Sequence, residues 1–305
     1  MAVSELTDQL VAADPRVALA GVRDYVTLTK PRIMSLLVLT AVCAMVAGAG
    51  GDPGLLPLCA LVLGGGLACG GASALNHVLD RDIDRLMGPR TASRPVACGR
   101  ISARRATIFG LALSGLSFAL MVWLDNLLAA ALAVSGGLFY VLVYTLWLKR
   151  STDQNIVIGG AAGAFPVLSG WAAAHGTLGS GAWWLFAIVL LWTPPHFWAL
   201  ALLLARHYAA AGVPMLPVVR GASATARQVL AYSVLLCAVT VVPGIVGPFG
   251  LVYLGGAVAL GGCLCVLAAR LWRAQTPRRA AVLFHFSLLY LALLFVAVAL
   301  DAVVR

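Results

Sequence analysis

Charged residues are scarce in this chain of 305 residues. Asp, Glu, Lys and Arg together make up 10% of the sequence, whereas soluble domains carry about 25%. Hydrophobic residues make up 62%, and the mean hydropathy is +0.97. The long apolar segments lack the alternating pattern of strands in an outer-membrane barrel. The composition therefore excludes a soluble domain and predicts an all-α integral membrane protein.

Cysteine motifs and signal sequences are also missing. The seven cysteines form no CxxC pair and no metal-ligand spacing, so we expect most of them to pack as small hydrophobic residues. The N-terminal residues contain acidic side chains and no signal-peptide core, which favours a bacterial protein inserted through its first membrane helix. The formal net charge of +10 is better explained by basic residues in loops that flank a lipid bilayer than by a nucleic acid partner.

Nine apolar segments each approach the ~20 residues needed to cross a bilayer. They cover about 26–49, 55–79, 106–124, 127–148, 156–174, 182–205, 229–246, 251–271 and 280–300. All basic residues except Arg305 then fall in the leader, at the start of the first segment or in loops after even-numbered segments. This pattern predicts a cytoplasmic N-terminus in the bacterial inner membrane. We expect one polytopic domain over residues 1–305, with a polar cytoplasmic leader at 1–24.

The sequence NHVLDRDIDRLMGPRTASRP at Asn76–Pro95 is the most informative polar stretch, and it follows a glycine-rich apolar run. Asn76, Asp80 and Asp84 are four residues apart, so on a helix they form one slanting row of oxygen-bearing side chains. Such a row suits Mg²⁺ when a phosphate supplies the other ligands, and the nearby arginines suit the phosphate. Salt bridges on a solvated helix end are the alternative, but ionisable groups at membrane depth favour a site.

The row matches the NxxxDxxxD motif of the UbiA superfamily of intramembrane prenyltransferases, which this chain resembles. Other segments resemble one branch of it, the protohaem IX farnesyltransferases. These segments are TKPR at Thr29–Arg32, RTASRP at Arg90–Pro95, KRSTDQNIVIGGAAGAFPVLSGW at Lys149–Trp171, WTPPHFWALAL at Trp192–Leu202 and AGVPMLPVV at Ala211–Val219. NxxxDxxxD alone marks the superfamily, whereas the last two segments together are specific to the branch.

The resemblance implies nine transmembrane helices around a central cavity that opens to the cytoplasmic face. It implies that the farnesyl group of farnesyl diphosphate is transferred to a vinyl group of haem b, which gives haem O and pyrophosphate. Mg²⁺ is then the expected cofactor, held by motifs on the second helix and near the end of the sixth, and haem b is a substrate. Association with haem A synthase or oxidase assembly factors is left open.

Carried onto this sequence, the resemblance assigns the Mg²⁺–diphosphate to Asn76, Asp80 and Asp84. Lys149 and Arg150 are further catalytic candidates. They would neutralise the negative charge that grows on the leaving pyrophosphate. The remaining candidates for substrate binding are Lys30, Arg32, Arg81, Arg90, Arg94, Asn155, His196, Arg206, His207 and Tyr208.

Three of these candidates need separate comment. His196 follows two prolines inside an apolar segment, and we predict that it contacts the haem or a propionate. Asn155 either hydrogen-bonds substrate or caps a helix. The family more often has an acidic residue before Tyr208, where this chain has His207. Either His207, Tyr208 or a water completes the second metal motif, or Mg²⁺ depends on the first motif and the diphosphate.

Two other functions are compatible with parts of the pattern. A UbiA-type enzyme with another aromatic acceptor would share the Asp row but not the two branch-specific segments. An ion-coupled transporter could use Asp80 and Asp84 as an ion site. However, the polar residues gather at one predicted membrane face, without a matching cluster on the other to form a path. A purely structural membrane subunit would leave the Asp row unexplained.

Overall fold

The computed structural model describes residues 21–305, so most of the leader predicted at 1–24 lies outside the described residues. Within that range the regular elements are helices, and nine of them are long and apolar enough to cross a membrane. We label them α1 (Pro31–Gly48), α2 (Leu55–Leu79), α3 (Ala103–Leu124), α4 (Leu127–Ser151), α5 (Asn155–His175), α6 (Ser180–Leu203), α7 (Leu216–Val246), α8 (Leu251–Arg273) and α9 (Pro277–Val304). The predicted nine-helix membrane fold is confirmed.

The first predicted segment, 26–49, is wrong at its start because two helices meet there. A short helix, Val22–Thr29, ends at Lys30, and α1 begins at Pro31. Proline lacks an N–H and disfavours the α conformation of the residue before it, so the helix breaks at this point. Lys30 adopts φ 50° and ψ 57°, and it is the one non-glycine residue with positive φ in the described part of the chain. Such a backbone costs about 1–3 kcal/mol and persists only where the surroundings enforce it.

Two other departures from the sequence-based prediction lie near the ends of helices. The segment predicted as polar, 206–227, is largely helical: it contains most of the short helix Ala205–Ala210 and the first turns of α7, which bends at Gly221. Helix α4 is π-helical from Phe139 to Leu148. A π-helix of this length is rare, and π-helical turns often occur at functional sites.

Consecutive helices pack against each other, and the bundle closes because α9 packs on α1. Helix α1 also packs on α5, and α6 on α9. Small residues permit the close approaches. A methyl group on Gly170 of α5 would collide with the carbonyl oxygen of Ala41 on α1, and one on Gly71 of α2 would lie 2.6 Å from the carbonyl oxygen of Gly110 on α3. Glycine is therefore required at these crossings.

The loops after α2, α4 and α6 meet at one end of the bundle. Arg150, at the end of α4, pairs with Asp82 after α2, and Arg220 at the start of α7 pairs with Asp153 after α4. The ring of His207, after α6, lies against Gly88. The polar clusters that the sequence placed at one membrane face are thus together in the structure. The chain is a multi-pass membrane protein, and the cytoplasmic location of this end stays a prediction.

The α2–α3 crossing can be tested with two single-methyl substitutions on the same helix. Gly71→Ala should destabilise the protein by about 1–3 kcal/mol, because the added methyl has no room against Gly110. Gly65→Ala is the matched control, since a methyl there meets no other atom within 4 Å. That variant should be neutral or slightly stabilising, because alanine is the better helix former. Thermal unfolding in detergent measures both, and equal unfolding temperatures would contradict the packing argument.

At the opposite end of the bundle, Asp125 lies between α3 and α4 with both carboxylate oxygens buried and no hydrogen-bond partner for them among residues 21–305. Burial raises the pKa of Asp125 to about 7. Since ionisation is disfavoured only in the folded state, the protein should lose stability as pH rises from about 4 to 7. Asp125→Asn should therefore raise the unfolding temperature at pH 8, with a smaller gain at pH 5. The same gain at both pH values would refute this.

Candidate active site

The row of Asn76, Asp80 and Asp84 is preserved although the helix changes direction within it. Asn76 lies in the last turn of α2, Asp80 follows the helix end, and Asp84 lies in the short helix Arg81–Leu86. The backbone N–H of Asp80 donates to Asn76 and that of Asp84 to Asp80, both at 2.8 Å. The helical spacing therefore continues across the break. All three side chains are buried, with exposures of 2%, 1% and 1%.

Each carboxylate uses one oxygen for a cation and leaves the other without a partner. Asp80 Oδ2 accepts hydrogen bonds from Lys149 Nζ at 2.5 Å and from Asn76 Nδ2 at 2.8 Å. Asp84 Oδ1 accepts one from Arg94 Nη1 at 2.5 Å. Asp80 Oδ1 and Asp84 Oδ2, which we call the open oxygens, are buried and have no hydrogen-bond partner among the described residues. Buried charged oxygens without partners are costly, so this arrangement indicates a place for a ligand.

Lys30 supplies the third cation of the cluster. Its Nζ donates to Asn76 Oδ1 at 2.7 Å, and its backbone at the start of α1 is left-handed. Burial, followed by repulsion from Arg94, lowers the pKa of Lys30 to about 7, while attraction to Asp80 opposes the shift. When Lys30 is protonated, the cluster of Lys30, Lys149, Arg94, Asp80 and Asp84 has three positive and two negative groups, which favours an anionic ligand.

Helix α4 contributes two contacts to α2 that lie one turn apart. Thr145 Oγ1 accepts from Asn76 Nδ2 at 3.0 Å, and Lys149 binds Asp80. Both pairs join residues separated by 69 positions, so α2 and α4 run side by side in a fixed register. The sequence did not single out Thr145. The one sequence feature that could have indicated Thr145 is its position four residues before Lys149. That spacing becomes informative only when α2 and α4 are known to pack side by side.

Arg150, another predicted basic residue, lies at the edge of this cluster. Arg150 forms a two-pronged contact with Asp82, at 2.7 and 2.8 Å, and donates to the carbonyl oxygen of Leu79. Its hydrogen bond lowers the pKa of Asp82. Arg150 therefore holds α4 to the loop after α2, without a direct contact to either carboxylate of the row. Four further basic residues that the sequence singled out are exposed: Arg32, Arg81, Arg90 and Arg206. Their roles in substrate binding stay predictions.

Two small cavities flank Arg150 on this side of the protein. One, of about 150 Å³, is lined by Asp82, Arg150 and residues 211–213 after α6. The other, of about 300 Å³, is lined by Arg81, Asp82 and Arg150 together with the last residues of α2. Both lie between the loops that carry the predicted site residues.

Asn155 and Tyr208 are buried, as residues that contact a substrate would be. Asn155 Nδ2 donates to the carbonyl oxygen of Thr152 at 2.7 Å, and its Oδ1 finds no partner within residues 21–305. The capping alternative required that oxygen to accept a backbone N–H, so it is not supported. Burial raises the pKa of Tyr208 to about 12, which keeps its phenol protonated and able to donate at neutral pH.

His207 occupies the position where an acidic residue was expected. It is exposed, and a methyl on Gly88 would lie 3.0 Å from its Cδ2. Across the described residues, no group of three or more His, Cys, Asp or Glu is placed to hold a metal. The predicted metal site therefore has two carboxylates, Asp80 and Asp84, and would need further oxygens such as those of a phosphate. Whether His207 takes part in a second motif stays a prediction.

His196 is fixed inside an aromatic stack. Its ring lies between Trp192, with ring centres 4.3 Å apart, and Phe284, at 4.8 Å. Its Nδ1 is 2.7 Å from the hydroxyl of Ser287, and Trp192 Nε1 donates to the carbonyl oxygen of the same serine. Helix α9 therefore sets the orientation of both rings. The predicted contact of His196 with haem stays a prediction.

The family model described as "UbiA prenyltransferase family" matches residues 37–297. The chain belongs to the UbiA prenyltransferase family. The protohaem IX farnesyltransferase of Gloeobacter violaceus is 52% identical over 291 residues, which cover 95% of this chain and 94% of the relative. That of Thermus thermophilus is 51% identical over 282 residues, which cover 92% and 46%. Within this family, the chain is similar to protohaem IX farnesyltransferases. It spans about half the length of the relatives from Thermus and Roseiflexus.

A solved structure supports the fold. A UbiA homologue from Archaeoglobus fulgidus, bound to DMAPP and Mg²⁺, superposes with a TM-score of 0.71 over 92% of this chain and 99% of that chain, at 16% identity. The family and the UbiA-like arrangement of helices predicted from the motifs are therefore confirmed.

The buried pair of Asp80 and Lys149 yields a stability prediction. Lys149→Met should cost about 3–5 kcal/mol, because it leaves a buried carboxylate without its cation. The double variant Lys149→Met/Asp80→Asn should recover most of that loss. Arg150→Met is the control, since it breaks an exposed pair and should cost about 1 kcal/mol or less. Thermal unfolding measures all three, and a single Lys149 variant as stable as the wild type would disprove the pairing.

Proposed function

We propose that this chain transfers the farnesyl group of farnesyl diphosphate to a vinyl group of haem b, giving haem O and pyrophosphate. The observation that carries the proposal is the pair of open oxygens on Asp80 and Asp84, each beside a cation at a membrane-helix end. The choice of haem b as acceptor is supported by relatives named protohaem IX farnesyltransferase that match the chain over nearly its whole length.

The donor set fits Mg²⁺. Asp80 Oδ1 and Asp84 Oδ2 are hard oxygens held in place but not used by the protein, and Mg²⁺ prefers few carboxylates together with oxygens of a phosphate. Asn76 would add an amide oxygen once Lys30 moves to the ligand. Mg²⁺, when bound, would supply positive charge that stabilises the diphosphate as a leaving group.

The cations of the cluster would act on the leaving group. Lys30, Lys149 and Arg94 are already fixed by hydrogen bonds to Asn76, Asp80 and Asp84. Because Lys149 and Arg94 need not reorganise during the reaction, they can stabilise the negative charge that grows on the pyrophosphate as its bond to the farnesyl carbon breaks. Lys30 would join them once it has moved from Asn76 to the diphosphate.

The acceptor reacts on the apolar side of the cluster. The farnesyl carbon bonds to the terminal carbon of the vinyl group, a water then adds to the adjacent carbon, and one proton is released. The allylic cation must be kept from water until the carbon–carbon bond has formed. Aromatic rings such as Trp192 could face it, with His196 and Asn155 contacting the haem.

We further propose that the site opens to the cytoplasm and that the N-terminus is cytoplasmic. The support is the concentration of Lys and Arg at the end of the bundle where the site lies. That face is also where farnesyl diphosphate, a charged and water-soluble substrate, would enter. Association with haem A synthase or oxidase assembly factors is compatible with a product that a membrane enzyme must pass on.

The test uses purified protein in detergent with haem b, farnesyl diphosphate and Mg²⁺, and identifies the extracted haem by mass. Haem O should form with the wild type, and should fall at least about a hundredfold with EDTA, Asp80→Ala or Asp84→Ala. Asp82→Ala is the matched control. It removes a carboxylate from the same stretch that is 60% exposed and pairs with Arg150, so most activity should remain.

The failure of this assay would separate the alternatives. If folded wild-type protein forms no haem O but prenylates an aromatic acceptor, the proposed haem acceptor is refuted and the proposed prenyltransferase activity is retained. If neither product forms and proteoliposomes instead show ion-driven uptake that Asp80→Ala abolishes, the chain is a transporter.

A further inference from the structure

We propose that Thr145 is a positioning residue, which holds the Asn76 amide in the orientation that presents its oxygen to the Mg²⁺–diphosphate. The inference deepens the proposed function and rests on it. Thr145 belongs to none of the motifs in the sequence and lies 69 positions from the residue on which it acts.

The polar atoms of Asn76 are fully engaged. Its Oδ1 accepts from Lys30 Nζ, and its Nδ2 donates to Asp80 Oδ2 and to Thr145 Oγ1, at 2.7, 2.8 and 3.0 Å. In its protonated form Lys30 can only donate, so it must then face the amide oxygen. The carboxylate and the hydroxyl accept the two N–H groups. The orientation of the amide is therefore set from both sides, and Thr145 is the one partner on α4.

The position of Thr145 depends on the unusual conformation of α4. It lies within the π-helical segment Phe139–Leu148 and its side chain is fully buried. The next contact from the same face is Lys149 with Asp80, one turn later on both helices. The segment and the residue after it thus place a neutral acceptor against Asn76 in the last turn of α2 and a cation against Asp80 just after that helix.

Loss of this hydroxyl would affect two ligands at once. One buried N–H of Asn76 would have no acceptor, which is unfavourable and frees the amide to turn its nitrogen toward the site. If the amide turns, Asp80 Oδ2 also loses one of its two donors and keeps only Lys149 Nζ. Removing a residue that orients a metal ligand typically weakens metal affinity by about 10–100-fold.

The experiment measures binding as well as turnover. Mn²⁺ serves as the spectroscopic probe, and its binding to the full chain in detergent is titrated by electron paramagnetic resonance with pyrophosphate present. Thr145→Val, which keeps the shape and removes the hydroxyl, should weaken Mn²⁺ binding at least about tenfold. Thr145→Ser, which keeps the hydroxyl, should restore it to within about threefold. In the prenyl transfer assay, the Mg²⁺ concentration for half-maximal rate should shift in the same order.

Thr40→Val is the matched control. Thr40 is equally buried, but within residues 21–305 its hydroxyl bonds only to the carbonyl oxygen of Leu37 in its own helix. Its loss should leave Mn²⁺ binding unchanged. In an Asn76→Ala background, Thr145→Val should have no further effect, because a positioning residue acts only through the residue it positions.

Three outcomes would overturn the inference: wild-type affinity in Thr145→Val, equally weak binding in Thr145→Ser, or an undiminished effect of Thr145→Val when Asn76 is already alanine. If Thr145→Val does not fold, as judged by thermal unfolding, Thr145→Ala compared with Thr145→Ser tests the same hydroxyl. Failure of the wild type itself to bind Mn²⁺ with pyrophosphate would instead overturn the proposed metal site, and the inference with it.

Discussion

The structure depends on keeping two carboxylates charged at the end of a membrane helix. Asp80 and Asp84 are each 1% exposed, and a buried charge without a partner costs several kcal/mol. Each therefore binds a cation from elsewhere in the chain, Lys149 from α4 and Arg94 from the loop after α2. This requirement fixes the register of α2 and α4 and the path of the loop, and it explains why a polar cluster persists in so apolar a protein.

The same pairing would prepare the site for an anion. One oxygen of each carboxylate is bound to a cation, which leaves the other oxygen of each without a hydrogen-bond partner among the described residues. With Lys30 protonated, the three cations exceed the two carboxylates in number, which is the electrostatic environment that the proposed departure of pyrophosphate would need. Lys30 contributes through a strained backbone conformation that α1 and the preceding helix maintain. Stability and the proposed catalysis therefore depend on the same contacts.

Much of this could be predicted from the sequence. The nine helices follow from the lengths of apolar segments, and the row of Asn76, Asp80 and Asp84 from its four-residue spacing. The break at Lys30 was readable from the following proline, but the apolar pattern of the first segment runs through it. The sequence could not predict which basic residues bind the buried carboxylates and which bind exposed ones. Lys149 and Arg150 are neighbours in sequence, yet one binds Asp80 inside the cluster and the other binds exposed Asp82 at its edge.

The sequence by itself determined the membrane class, the number of spans, the position of the polar row and the family, because these depend on local composition, spacing and motifs. Only the tertiary structure decided which cation neutralises which carboxylate, which oxygens remain open, and that Thr145 and His207 lie against Asn76 and Gly88. Those contacts join residues far apart in the chain. They depend on the packing of α2 against α4 and on the meeting of two loops, and no local pattern in the sequence encodes either.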